Sequence, residues 1–196
     1  MKRLVSTKAK SWEFHPLTPE RWADFEQLFG KRGAAGGCWC MWWRLTAKDF
    51  DARKGEGNRR AMKAIVESGR IPGILAYHRG EVAGWCSVAP REQFGSLERS
   101  RVLKRVDNKD VWSIVCFFVD RNYRGKNLSL KLILGAIEYV KSRGGEIIEA
   151  YPSIIRSAKA APVSTFMGIP KIFEKAGFKA VHTPSKSKLI MRYFIT

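Results

Sequence analysis

The segment Val111-Trp-Ser-Ile-Val-Cys-Phe-Phe-Val119 is apolar on both faces of an extended chain. A strand with one wet face alternates apolar and polar residues. One that does not alternate must be covered on each side, so this segment predicts the central strand of a sheet held between two layers. Asp120 to Arg124 then turns the chain. From Asn127 to Arg143 the residues Leu132, Ile133, Ala136, Ile137 and Val140 recur at helical spacing, and Gly144-Gly145 ends the helix. Glu146 to Tyr151 reads as the next strand, stopped by Pro152.

The flanking sequence supplies the remaining elements. Trp12 to Leu17 alternates and runs into Thr18-Pro19-Glu20, a cap followed by proline at the first helical position. The helix so begun carries Trp22, Phe25, Leu28 and Phe29 on one face and stops at Gly30. A glycine-rich stretch, Gly30 to Gly37, follows, and a second helix is expected over Asn58 to Ser68. Gly73 to His78 and Val82 to Val88 read as strands joined by a tight hairpin at Arg79-Gly80-Glu81. Pro90 to Asn108 is polar and basic, with room for one or two amphipathic turns. Ile169 to Ala176 reads as a short helix ended by Gly177, and Phe178 to His182 with Lys188 to Phe194 as a closing hairpin. No repeat or low-complexity linker interrupts this order. The expectation is a basic N-terminal arm over 1–11 and one domain over 12–196. Its fold class is α/β (α+β), with helices flanking a central mixed sheet.

Composition limits the function classes. At 45% hydrophobic and 12% aromatic the chain can bury a core, which excludes general disorder. Its apolar runs, such as Ile114 to Val119, fall far short of the ~18 residues a bilayer span needs. No apolar stretch follows the basic N-terminus, so no membrane partner is expected and the location expected is cytoplasmic. Lys and Arg total 36 against 18 acids, a net charge of +18. That balance favours an anionic partner, either nucleic acid or a phosphorylated small molecule. Four cysteines without a Cys-x-x-Cys pair, and only three histidines, lead to an expectation of no metal site.

The junction from strand to helix carries the chemistry. Arg121-Asn-Tyr-Arg-Gly-Lys-Asn-Leu-Ser129 sets backbone N–H groups at a helix N-terminus beside Arg121, Arg124 and Lys126, an arrangement suited to phosphate. In these residues the chain resembles the GNAT superfamily of N-acetyltransferases. Their signature runs Arg or Gln, two residues, Gly, one residue, then Gly or Ala. Here the window reads Arg124-Gly125-Lys126-Asn127-Leu128-Ser129, with Asn127 for the first expected glycine and Ser129 for the final small residue. Asn tolerates left-handed backbone angles and Ser is small, so the cradle survives both changes. Phe173-Glu-Lys-Ala-Gly-Phe178 is similar to the family's Tyr-Glu-Lys-x-Gly-Phe segment. A smaller subset shares Gly36-Gly-Cys-Trp-Cys-Met-Trp-Trp-Arg44, Gly84-Trp-Cys-Ser-Val-Ala-Pro-Arg91 and Glu149-Ala-Tyr-Pro152.

The resemblance implies a GNAT-like fold and acetyl transfer from acetyl-CoA, as cosubstrate, to a primary amine. It implies acetyl-CoA pairing with the backbone of Phe117, Phe118 and Val119, and a pyrophosphate cradle over Arg124, Gly125, Lys126, Asn127, Leu128 and Ser129. A strand N–H would stabilise the oxyanion. The family's usual acid is a Tyr where this chain has Phe173, so Tyr151 is the candidate substitute and Glu149 the candidate base, directly or through water. The competing readings are an ion pair for Glu149 and a packed ring for Tyr151. Cys116 reads as a small core residue sooner than as a nucleophile. Trp39, Trp42 and Trp43 share one face if a helix forms there, and then either wall an acceptor pocket or pack the core. Arg44 and Arg91 are candidates to hold an anionic group of the acceptor. The alternatives to acetyl transfer are nucleic-acid binding through the basic surface and a catalytically weak CoA-binding sensor on the same fold. The expected assembly is a monomer or homodimer.

Overall fold

The computed structural model describes residues 12–154 and 166–196, so the basic arm over 1–11 lies outside the described residues. A seven-stranded sheet runs through the molecule in the order β1-β2-β3-β4-β5-β7-β6. The strands are β1 (Trp12–Pro16), β2 (Ile74–His78), β3 (Glu81–Pro90), β4 (Trp112–Val119), β5 (Ile147–Ala150), β6 (Lys179–Ser185) and β7 (Lys188–Phe194). Every pairing is antiparallel except that of β4 with β5. The mixed sheet is thus the expected one, and the segment that is apolar on both faces lies at its middle. Arg79 and Gly80 both adopt positive φ, 53° and 85°, the geometry a two-residue hairpin between β2 and β3 requires.

One irregularity shapes the rest. Ser87 pairs with Cys116 and Val88 with Ile114, which leaves Val115 without an opposite residue on β3. This bulge sets Val115 and Cys116 on the same face of the sheet and bends β4. Pairing of β4 with β5 ends at Ile114 and Ala150, beside the bulge. The only parallel pair among the described residues therefore parts after three residue pairs, Trp112 with Ile148, Ser113 with Glu149, and Ile114 with Ala150.

Helices cover both faces. On one, α5 (Leu128–Ser142) lays Leu132, Ile133, Ala136, Ile137 and Val140 over Ile74, Ala76, Val88 and Ile114, and α6 (Pro170–Lys175) adds Phe173. On the other, α1 (Trp22–Phe29) and α3 (Glu56–Glu67) enclose Leu75, Tyr77 and Trp85. A smaller cluster around Phe94, Leu97, Tyr151 and Ile190 fills the end of that face. Two short helices, α2 (Ala47–Ala52) and α4 (Gly95–Glu98), complete the α-helices of the described residues. The former has a plain local signal, because the Thr46 hydroxyl accepts the Asp49 N–H as an N-cap at 3.1 Å. The latter is one of the amphipathic turns expected between 90 and 108.

Phe25 is fully buried and its ring lies 4.1 Å from that of Phe29, 4.9 Å from Trp85 and 5.4 Å from Trp22. Deleting it leaves a cavity that such large rings cannot refill. Phe25→Ala is expected to lower stability by about 3–5 kcal/mol in denaturant titration.

Candidate active site

The chain leaves β4 through a short turn that its own residues organise. The Asp120 carboxylate accepts the Asn122 N–H at 2.8 Å and the Asp120 carbonyl accepts the Tyr123 N–H at 3.0 Å. Arg124 is extended, Gly125 has φ 76°, and Asn127 sits in the left-handed region at φ 56°, ψ 24°. Asn127 thus performs the backbone task expected of it. Lys131 N–H to Asn127 O, at 3.2 Å, is the first bond of α5. The amides of Leu128, Ser129 and Leu130 precede it and have no acceptor within the helix.

These amides face a cleft of about 250 Å³ between Val119 at the end of β4, Tyr123 to Gly125, Asn127 to Leu130 and Ile172 of α6. It gathers most of the residues expected to bind the cofactor: Val119, Arg124, Gly125, Asn127, Leu128 and Ser129. Lys126 stands beside it with its ammonium 5.3 Å from the Tyr123 ring centre. The Arg124 Nε donates to the Val119 carbonyl at 3.4 Å. Phe117 and Phe118 lie further back on β4 with opposite outlooks. Phe117 packs towards Phe173 at 6.0 Å, and Phe118 on Phe29 at 5.2 Å. Tyr123, Leu130 and Ile172 were not anticipated in the cleft. Tyr123 lies inside the basic turn and was legible there, whereas Ile172 arrives only through the packing of α6 on α5.

The lining suits a pyrophosphate. It offers unpartnered N–H groups at the positive end of a fifteen-residue helix and exposed cations at Arg121, Arg124 and Lys126, with no carboxylate in the wall.

Glu149 and Tyr151 have another setting. Glu149 is 1% exposed, and Arg91 Nη1 reaches its Oε2 at 3.2 Å while Arg192 Nε and Nη2 reach its Oε1 at 2.8 and 2.7 Å. The Tyr151 hydroxyl donates to Glu149 Oε2 at 2.7 Å and accepts from Arg91 Nη1 at 2.8 Å. Ser113 Oγ, 2.8 Å from the same hydroxyl, must then be a donor to it. Arg91 also binds Glu98 at 2.5 Å and the Leu103 carbonyl at 2.7 Å, and Arg192 grips Asp107 through two bonds of 2.6 and 2.8 Å. Of the two readings of Glu149, the ion pair is the one present. Burial, with the Glu149 charge alongside, holds the Tyr151 phenol far above its ordinary range. Arg91 is likewise committed within the fold and presents nothing to an acceptor.

No helix forms at Trp39, Trp42 and Trp43, so the three do not share the one face that a helix would have given them. Trp39 and Cys40 both take left-handed φ values, 44° and 59°, which breaks any helix there. Trp39 is buried and stacks on Phe29 at 5.7 Å. Trp42 is 43% exposed against the edge of Phe50, and Trp43 packs beside the cluster around Phe94. Arg44 lies over the Phe94 ring at 4.4 Å and donates to the Pro72 carbonyl at 3.0 Å. Cys40 accepts the Trp85 indole N–H at 3.1 Å, and a hydrogen bond from Cys116 helps bring its thiol down to about 7. That same bond, with burial, pushes the Cys116 thiol well up, opposite to what a nucleophile needs. Among the described residues no cluster of His, Cys, Asp and Glu suits a metal ion, and no helix is long and apolar enough to cross a membrane.

Known proteins bear on this geometry. The model of the acetyltransferase (GNAT) family matches residues 39–154. A GNAT-family acetyltransferase of Streptococcus agalactiae superposes with a TM-score of 0.57 at 13% identity, covering 95% of this chain and 97% of that one. One from Listeria monocytogenes gives 0.55 at 13% identity, covering 94% and 95%. The PaiA N-acetyltransferase of Thermoplasma acidophilum, solved in complex with coenzyme A, gives 0.52 at 16% identity, covering 94% and 99%. At such identities the likeness is one of fold. No curated protein sequence matches the chain.

Two outcomes follow from the buried network. Glu149→Gln removes the carboxylate shared by Arg91 and Arg192, and thermal denaturation should register a loss of about 3–5 kcal/mol. A drop in turnover with unchanged stability would instead make Glu149 a base. The hydrogen bond from Arg192 holds Asp107 well below the ordinary carboxylate range. A depressed folded pKa means stability that is full above about pH 4 and lost as the pH falls further. Asp107→Asn should therefore melt lower than the native chain at neutral pH and show a flatter decline in acid.

Proposed function

The chain belongs to the GNAT family of acetyltransferases, and from that premise we propose that it moves the acetyl group of acetyl-CoA to a primary amine by direct attack. The observation that carries this reading is the run of free amides from Leu128 to Leu130, set by left-handed Asn127 just beyond the end of β4, on the stretch of that strand that has parted from β5. A bound acetyl-CoA supplies an activated thioester with a thiolate leaving group. Leu128, Ser129 and Leu130 bind its pyrophosphate through their N–H groups, with Arg124 and Lys126 adding charge. The Phe117 carbonyl and the backbone that follows it to Val119 pair with the pantetheine arm, and the Phe117 N–H, on the parted side of β4, takes the thioester's carbonyl oxygen.

Proton handling follows from what is absent around Phe173. This side chain is fully buried between Phe117 and Phe178, so the position of the family's usual acid is apolar. A thiol of pKa about 8.5 leaves tolerably as thiolate, and protonation by solvent suffices. Glu149 and Tyr151 are saturated by Arg91, Arg192 and Ser113, which favours water as the acceptor of the amine's proton. The acceptor approaches on the face where Trp42 and Trp43 retain exposure, and Trp39 serves the core.

Calorimetric titration with acetyl-CoA should give saturable binding that Arg124→Ala weakens by about tenfold, the worth of one charge-assisted contact. Asn127→Gly should bind as well as the native chain, because glycine enters the left-handed region freely. Asn127→Val should bind about tenfold more weakly, since that conformation costs a β-branched residue on the order of 1–2 kcal/mol. Absence of binding at millimolar acetyl-CoA would refute the proposal.

A further inference from the structure

Where β4 and β5 part, each side turns one backbone donor into the gap, and a single short stretch of the same chain takes both. The Phe117 N–H donates to the Phe166 carbonyl at 2.7 Å, and the Ser153 N–H donates to the Gly168 carbonyl at 3.1 Å. Between these two carbonyls the Met167 side chain is 1% exposed, packed in the cluster that holds Val115 and Tyr151. The Lys188 ammonium lies 3.3 Å from the Met167 sulfur and donates to Ser153 Oγ at 3.0 Å. Gly168 has φ 82°, and a Cβ there would lie 2.7 Å from the Phe173 ring and 3.4 Å from the Phe117 ring. Residues 166–168 belong to no strand, yet they bridge β4 and the segment that continues from β5, as a ligand strand would.

Resting on the acetyl-transfer reading, we infer that Phe166 to Gly168 is an internal occupant of the acyl seat: the Phe166 carbonyl holds the β4 amide that an acyl thioester's carbonyl oxygen takes when it binds. The exchange balances, since the Phe117 N–H gives up one carbonyl oxygen and gains another, while the freed Phe166 carbonyl takes up the water that the acyl oxygen sheds. It also discriminates. An amide oxygen accepts a hydrogen bond better than a thioester oxygen, so the internal carbonyl competes well against the ground state. It competes poorly against the oxyanion of the tetrahedral transition state, where the Phe117 N–H acts on developing charge. Coenzyme A with a free thiol carries no acyl oxygen, so it fills the pyrophosphate cradle and leaves the Phe117–Phe166 bond in place.

That difference between two ligands supplies the test. In protein labelled with 15N-phenylalanine, with Phe117 assigned through Phe117→Leu, saturating acetyl-CoA should shift the Phe117 amide and change its hydrogen exchange. Saturating coenzyme A should do neither. If both ligands bind and the Phe117 amide responds to neither, or equally to both, the inference fails while the acetyl-CoA reading survives. Gly168→Ala gives an independent readout, because its Cβ drives the stretch off Phe173. Acetyl-CoA should then bind about fivefold tighter, the worth of one competing hydrogen bond, with affinity for coenzyme A unchanged. Weaker acetyl-CoA binding by a folded Gly168→Ala protein would overturn the inference and make the stretch part of the binding surface. Binding of acetyl-CoA by Gly168→Ala but not by the native chain would support it. Binding by neither would overturn both readings. If the variant does not fold, the labelled native protein decides alone.

Discussion

The extra residue at Val115 is the constraint on which the site depends. A regular β4 would carry its pairing with β5 to the end of both strands and close the sheet there. With Val115 unpaired against β3, the strand bends and the parallel pairing stops at Ile114 and Ala150. Three things follow from that parting. Val119 reaches the start of the basic turn at the mouth of a cleft, the N-terminus of α5 opens onto it, and the Phe117 amide turns towards a gap instead of a neighbouring strand. The core on the other side of β4 is unaffected, because Ile114 and Phe117 still pack with the helices α5 and α6.

Electrostatics hold the parting strands from the opposite direction. Arg91 at the end of β3, Glu149 in β5 and Arg192 in β7 meet below the gap, and Glu149 stands opposite Ser113 in the last turn of pairing. Buried charges are costly unless each finds partners, and here each does, through Glu98, Asp107, Tyr151 and Ser113. The network fixes where β5 and β7 lie relative to β4, and so fixes the width of the gap. Its residues act on the site by position, since none has a free proton acceptor turned towards the cleft.

The central strand, the crossover helix and the basic turn were legible because each is a local pattern. Residues 111–119 are apolar on both faces, residues 132–140 repeat at helical spacing, and Asn127 stands where a left-handed residue is needed. The bulge was not legible, since Val115 and Cys116 are both apolar and an extra apolar residue leaves the pattern of a buried strand unchanged. Trp39, Trp42 and Trp43 have helical spacing, but left-handed Trp39 and Cys40 send the three rings in different directions. Glu149 was ambiguous for a related reason. Its partners Arg91, Arg192 and Asp107 are far apart in sequence, and only the sheet order brings them together.

The central claim is that the parting of β4 and β5 seats an acetyl-CoA whose pyrophosphate rests on the start of α5. A crystal structure of the protein with acetyl-CoA tests it most directly. The account predicts pyrophosphate oxygens within hydrogen-bond distance of the Leu128 to Leu130 amides, and the acyl group lodged beside β4 beyond Ile114. Acetyl-CoA held elsewhere, for example on the basic stretch from Arg99 to Lys109, would contradict it.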